Sequence, residues 1–222
     1  GEVIGGIGAT PPFICQCSPC QITTIGSCSN YWCQPDVYSC IDNVDCNLTC
    51  NGYEVCQYDQ LMGPANGHFL VKFDGDYSGR SATVHAETST SLRIESTQDR
   101  NSADKTKVWL PPSGDFNLLC DNPINIDPAH GPQECNNMKI YDLDRAGGGD
   151  VYMQCGHLGV NSIYTELSQS CASLKYFVSP TRALWPQGGK WTMNCAGVTS
   201  CGRAMLQCYF EWCEMILGGP SG

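Results

Sequence analysis

Basic residues are scarce in this sequence. Lysine and arginine together number 12 against 22 acidic residues in 222, which gives a formal net charge of −10. They form no run, so nothing is present to neutralise a phosphate backbone, and nucleic acid is not an expected partner. Charge of either sign is thin, at 15% of residues, where soluble domains carry roughly 25%. No apolar stretch approaches the ~18 to 20 residues that span a bilayer, so no membrane span is expected. The nucleophile elbow, the P-loop and the dinucleotide fingerprint are all missing. The histidines, His68, His85, His130 and His157, show neither HExxH nor paired spacing. These absences lead to the expectation of no catalytic residue, no metal site and no cofactor. The opening GEVIGGIGATPPF has no basic segment followed by an apolar one, and it reads as a mature N-terminus from which any leader has been removed.

Cysteine is abundant instead. There are 17 cysteines beside 24 glycines and 13 prolines. Such a chain belongs in an oxidising compartment, where bridges supplement a thin core, so an extracellular or cell-surface location is expected. The count is odd, so one thiol is free or bonded to another molecule.

Six windows align: VDCNLTC from Val44, GHFLVKF from Gly67, TSLRIES from Thr90, GDFNLLC from Gly114, GDVYMQC from Gly149 and GKWTMNC from Gly189. Each has a two-residue entry followed by alternation of period two, the mark of a strand with one buried face. The inward positions are Cys46, Leu48, Cys50; Phe69, Val71, Phe73; Leu92, Ile94, Ser96; Phe116, Leu118, Cys120; Val151, Met153, Cys155; and Trp191, Met193, Cys195. A second element follows each window: a Cys or small residue, four residues, then an apolar one. The pairs are Cys56 and Leu61, Gly79 and Val84, Ala103 and Val108, Cys135 and Ile140, Cys171 and Tyr176, and Cys201 and Leu206. Cys33 and Tyr38 fit the same frame and suggest a degenerate first turn beginning near Gln21.

Window starts at 44, 67, 90 and 114 set a unit of 23 to 24 residues, which insertions lengthen before 149 and 189. A unit this small cannot bury its apolar face alone, and stacking buries a continuous column. The expected fold is therefore all-β, a disulfide-stapled β-solenoid of about seven turns. Residues 1–20 form an N-terminal arm available to a neighbouring subunit, 21–208 the solenoid, and 209–222 a short cap, helical or irregular, with the tail.

In four turns both corner positions are Cys, and in the others both change together, to Phe73 with Gly79 and to Ser96 with Ala103. Joint presence and absence is what a bridge predicts, giving Cys50–Cys56, Cys120–Cys135, Cys155–Cys171 and Cys195–Cys201. Cys40–Cys46 and Cys208–Cys213 are candidates for two more. Cys15, Cys17, Cys20, Cys28 and Cys33 remain, an odd set that holds either an intermolecular bond or a cap with one buried free thiol. Cys15, Cys17 and Cys20 resemble a zinc knuckle, but oxidised pairing is favoured in so disulfide-rich a chain. Asn47 heads the one glycosylation sequon, Asn47-Leu48-Thr49. Asp74 with Asp76 and Asp142 with Asp144 are candidate paired carboxylates, although both pairs sit where turns favour Asp for backbone reasons. The outward positions of the six windows are polar and weakly charged, a face suited to lateral packing or to glycans.

CNLTCNGYEVCQYDQL and MNCAGVTSCGRAML carry a resemblance to the Cys-rich solenoid repeats of secreted proteins from algae and stramenopile-type protists. It covers residues 28 to 210 and departs from the pattern at Phe73/Gly79, at Ser96/Ala103 and at the two long insertions. Some members are surface or appendage proteins, such as components of flagellar hairs (mastigonemes). The resemblance implies a solenoid and lends a structural role. The expected function is a subunit of an extracellular filament or surface appendage with itself as partner, not an enzyme. The alternatives are an adhesion or glycan-binding module and a polysaccharide-active β-helix enzyme.

Overall fold

The computed structural model describes residues 2–5, 13–14, 20–25, 35–98, 101–120, 134–143, 148–156, 170–179, 187–196 and 200–218. Seventeen strands alternate along the chain between two parallel sheets, with no helix among the described residues. The long sheet holds β1 (Glu2–Gly5), β3 (Cys20–Ile25), β5 (Cys46–Asn51), β7 (His68–Asp74), β9 (Ser91–Gln98), β11 (Phe116–Cys120), β13 (Val151–Cys155), β15 (Gln187–Ala196) and β17 (Phe210–Gly218). The short sheet holds β2 (Phe13–Ile14), β4 (Val37–Ser39), β6 (Gln60–Met62), β8 (Thr83–His85), β10 (Lys107–Trp109), β12 (Lys139–Asp142), β14 (Lys175–Val178) and β16 (Met205–Leu206). The chain is a β-solenoid with one strand in each sheet per turn.

Register converts the sequence windows into columns. Ile22, Leu48, Val71, Ile94, Leu118, Met153 and Met193 are successive partners down the long sheet. Tyr38, Leu61, Val84, Val108, Ile140, Tyr176 and Leu206 descend the short sheet in the same way. Every inward position of the six windows is buried, and the two inner faces fill one shared core. Aspartates at the window entries bind the next turn. The Asp45 carboxylate accepts from the His68 N–H at 2.9 Å, Asp115 from that of Asp150 at 2.9 Å and Asp150 from that of Lys190 at 2.8 Å.

The corner after each long-sheet strand is unusual in its backbone. Its second key residue takes the left-handed conformation in all six described corners: φ is 57° at Cys56, 65° at Gly79, 54° at Ala103, 53° at Cys135, 56° at Cys171 and 60° at Cys201. For a residue with a Cβ this costs about 1–2 kcal/mol. Hydrogen bonds between turns offset the strain. The Ala103, Cys135, Cys171 and Cys201 N–H groups donate to the carbonyls of Ser78, Ser102, Glu134 and Ser170, at 2.8 to 3.0 Å.

The corners without sulfur are closed by other means. The Phe73 ring occupies the space that a side chain at position 79 would need, so Gly79 is the residue that fits beneath it. In the next turn the Ser96 and Ser102 hydroxyls are hydrogen-bonded to each other, over a buried Ala103. Paired substitution at these corners therefore has a steric cause as well as a covalent one.

Both ends differ from the sequence expectation. Within the segment set apart as an arm, Glu2–Gly5 pairs with β3, and Phe13–Ile14 pairs with β4 of the same chain. Within the expected cap, Phe210–Gly218 is a strand paired along β15, not a helix. β1 and β17 bring the long sheet to nine strands where about seven turns were expected.

Candidate functional site: an open end and two outer faces

The cysteines lie at the corners as bonded pairs. Cα–Cα distances are 6.0 Å for Cys40–Cys46, 5.9 Å for Cys50–Cys56, 6.1 Å for Cys120–Cys135, 5.7 Å for Cys155–Cys171, 5.9 Å for Cys195–Cys201 and 6.4 Å for Cys208–Cys213. These spans lie within the Cα–Cα range that a disulfide bridges. Of the remaining five, Cys20 begins β3 in register with Cys46, while Cys15, Cys17, Cys28 and Cys33 lie outside the described residues. The six bridges fit a chain that folds in an oxidising compartment. Among the described residues no helix is long and apolar enough to cross a membrane.

Of the candidate carboxylates, Asp74, Asp76 and Asp142 lie among the described residues. Asp142 ends β12, is buried, and accepts a 2.6 Å hydrogen bond from the Tyr176 hydroxyl. Its place is in the wall between two turns. Asp144 lies outside the described residues. Asp74 ends β7, and Gly75 with φ 135° turns the chain between it and Asp76. Asn47 is exposed on the outer face of β5.

Sequence reasoning overlooked the buried acids Asp59, Asp104 and Glu134. Asp59 stands in the column otherwise occupied by Ala82, Thr106 and Met138, and its carboxylate accepts from the Asp36 N–H at 2.8 Å. Burial pushes it up to about 7, with the negative charge of Asp36 adding to the effect and the hydrogen bond from the Asp36 backbone opposing it.

The open end is built by β17. In register with Trp191, Met193 and Cys195 stand Cys213, Met215 and Leu217, so β17 continues the three core columns. Among the described residues nothing covers them: Met215 is 44% and Leu217 72% exposed, and on the other side of the strand Trp212 is 59% exposed. β17 is held from above along its length and by the Lys190–Glu214 ion pair at 2.9 Å, which keeps the Glu214 carboxyl below its ordinary range. It is the edge strand of the long sheet, paired among the described strands on one side only, beside an apolar row. At the opposite end β1 is likewise paired on one side only.

The two outer faces differ in how they treat charge. On the long sheet, charges are paired: Lys72 reaches Glu95 across strands at 2.8 Å, and Arg93 reaches it along the same strand at 2.7 Å. Burial would raise the Glu95 carboxyl, but these two cations bring it below its ordinary range. The short sheet instead carries a column of rings, His85, Trp109, Tyr141 and Phe177, stacked at centroid distances of 5.1, 4.7 and 5.3 Å. Sequence reasoning missed this column, although each ring directly follows the apolar residue of the second element: Val84, Val108, Ile140 and Tyr176.

These features define the class of a parallel, two-sheet β-solenoid with disulfide-stapled corners. No family model, curated protein or solved structure matches the chain.

Proposed function

We propose that this chain is a structural subunit of an extracellular filament or cell-surface appendage, joined head to tail through the ends of its solenoid. The observation that supports the reading is the β17 row, in which Cys213, Met215 and Leu217 extend buried columns to a surface over which no further turn lies among the described residues. β1 and β17 are opposite edges of one parallel sheet. A second copy's β1 laid against β17 therefore continues the sheet in the same strand direction. A contact between two different surfaces of identical subunits does not close on itself unless the rotation happens to form a ring, so it generates a fibre. Stacking neighbours is also how a solenoid buries apolar area at all.

The reading shifts the joint from a free arm to the sheet edges, since Glu2–Gly5 is paired within its own chain. An unmatched thiol among Cys15, Cys17, Cys20, Cys28 and Cys33 supplies a covalent lock between subunits. Negative-stain microscopy of native material, with gels run under reducing and non-reducing conditions, tests it: fibres are expected. A monodisperse monomer with no fibres sinks the reading.

A further inference from the structure

We propose that the outer face of the short sheet is a binding strip for a linear anionic glycan, one bearing carboxylate or sulfate groups. The proposal stands apart from the filament reading and uses neither end of the solenoid. Lys107, Lys139 and Lys175 are direct register partners, so three ammonium groups descend the face in one column. Parallel strands place them about 4.8 Å apart. Two residues further along each strand, on the same face, stand Trp109, Tyr141 and Phe177.

Like charges directly opposite one another destabilise a sheet. None of the three lysines is in an ion pair among the described residues, whereas Lys72, Arg93 and Lys190 on the long sheet each have a glutamate. A chain with a net charge of −10 thus leaves a run of positive charge unneutralised on one face. The outward positions of β6, β8, β10, β12 and β14 in these two columns are Gln60 and Met62, Thr83 and His85, then the lysines and rings, with no acid among them. The acids that adjoin these positions in the chain, Asp59, Asp104 and Asp142, are buried, and Glu87 is 3.0 Å from the His85 ring nitrogen.

The rings sharpen the choice of ligand. They are near parallel, at 14°, 24° and 15° between neighbours, so each covers the face of the next and the ring edges are left for a ligand. An aromatic edge carries the positive part of the ring quadrupole, and the Trp109 N–H and Tyr141 O–H are donors. Ammonium groups, donors and positive edges all favour an anion. Their repetition along a straight line fits a linear polymer with charge at every unit. The disulfides fit an oxidising compartment, where anionic polymers are glycans rather than nucleic acids. A second copy's acidic surface is the competing occupant.

The test titrates the full chain with polygalacturonate, and separately with neutral dextran, at low and at high salt. Polygalacturonate is expected to bind, dextran not, and salt to weaken the binding. Lys107→Gln/Lys139→Gln/Lys175→Gln is expected to weaken it roughly tenfold or more, with an unchanged melting curve. The same three positions changed to Arg retain it, and so does the control Lys72→Gln/Arg93→Gln/Lys190→Gln. No binding at low salt, equal loss in both Gln variants, or full binding by the strip variant overturns the proposal. So does loss of self-association in the strip variant with glycan binding intact, which assigns the face to a second copy.

Discussion

β15 and β17 have the same register and nearly the same chemistry, yet opposite fates. Met193 is completely buried while its partner Met215 is 44% exposed, and Cys195 is 3% exposed while Leu217 is at 72%. At these two column positions the difference that matters is that among the described residues no further turn lies beyond β17. In a solenoid, burial belongs to the column and not to the residue, since each turn completes the core of the one before it. A strand that obeys the inward pattern without a following turn is therefore a surface shaped to receive one. That is the physical basis for reading the end as a joint.

The comparison breaks most visibly if charge is placed at the same column position in each strand. Met193→Glu buries an unpaired carboxylate and is expected to cost more than about 4 kcal/mol, enough to abolish a cooperative melt. Met215→Glu meets water and is expected to change stability by less than about 1 kcal/mol. Denaturant unfolding with the bridges intact distinguishes them, and equal damage from both contradicts the account.

A smaller effect is expected from glycines. Gly114, with φ 90°, has the Thr90 carbonyl of the neighbouring turn where a Cβ would sit. Gly114→Ala is expected to cost about 2 kcal/mol or more. At Gly218 on β17 the nearest atom to an added Cβ is the Cys195 carbonyl oxygen at 3.5 Å, an ordinary contact. Gly218→Ala is expected to leave the melting temperature nearly unchanged.

The smallest effect is a slope with pH. Asp59 has an ordinary value of 3.8 and stands near 7 when buried. Between these values the folded chain holds a proton that the unfolded chain has released. Stability is therefore expected to fall as pH rises through that window, and to recover as pH is lowered. Asp59→Asn is expected to remove this slope while the rest of the pH profile stays in place. A slope that persists in the variant places its origin elsewhere.

Much of the body was legible because its columns repeat in sequence. Leu48, Val71, Ile94 and Leu118 announce one face, and the joint change of Phe73 with Gly79 marks a corner before any bond is seen. The ends were not legible, for a physical reason. Residues 1–20 mix Gly, Pro and Cys so densely that the short pairings of Glu2–Gly5 and Phe13–Ile14 leave no periodic trace. FEWCEMILG on β17 has apolar residues on both faces of the strand, because inward and outward mean little without a turn to pack against, and so it mimics an amphipathic helix. The aromatic column was missed for another reason: rings that lie outside the core stack between turns, and that contact is invisible within any one window.

Sedimentation velocity of the intact chain and of Leu217→Glu, side by side over a range of concentration, tests the claim about the end most directly. The account predicts growth of the unmodified chain into long head-to-tail species, and a variant that stays monomeric with an unchanged melting curve. Equal assembly by both chains, or no assembly by the unmodified chain at any concentration, contradicts it.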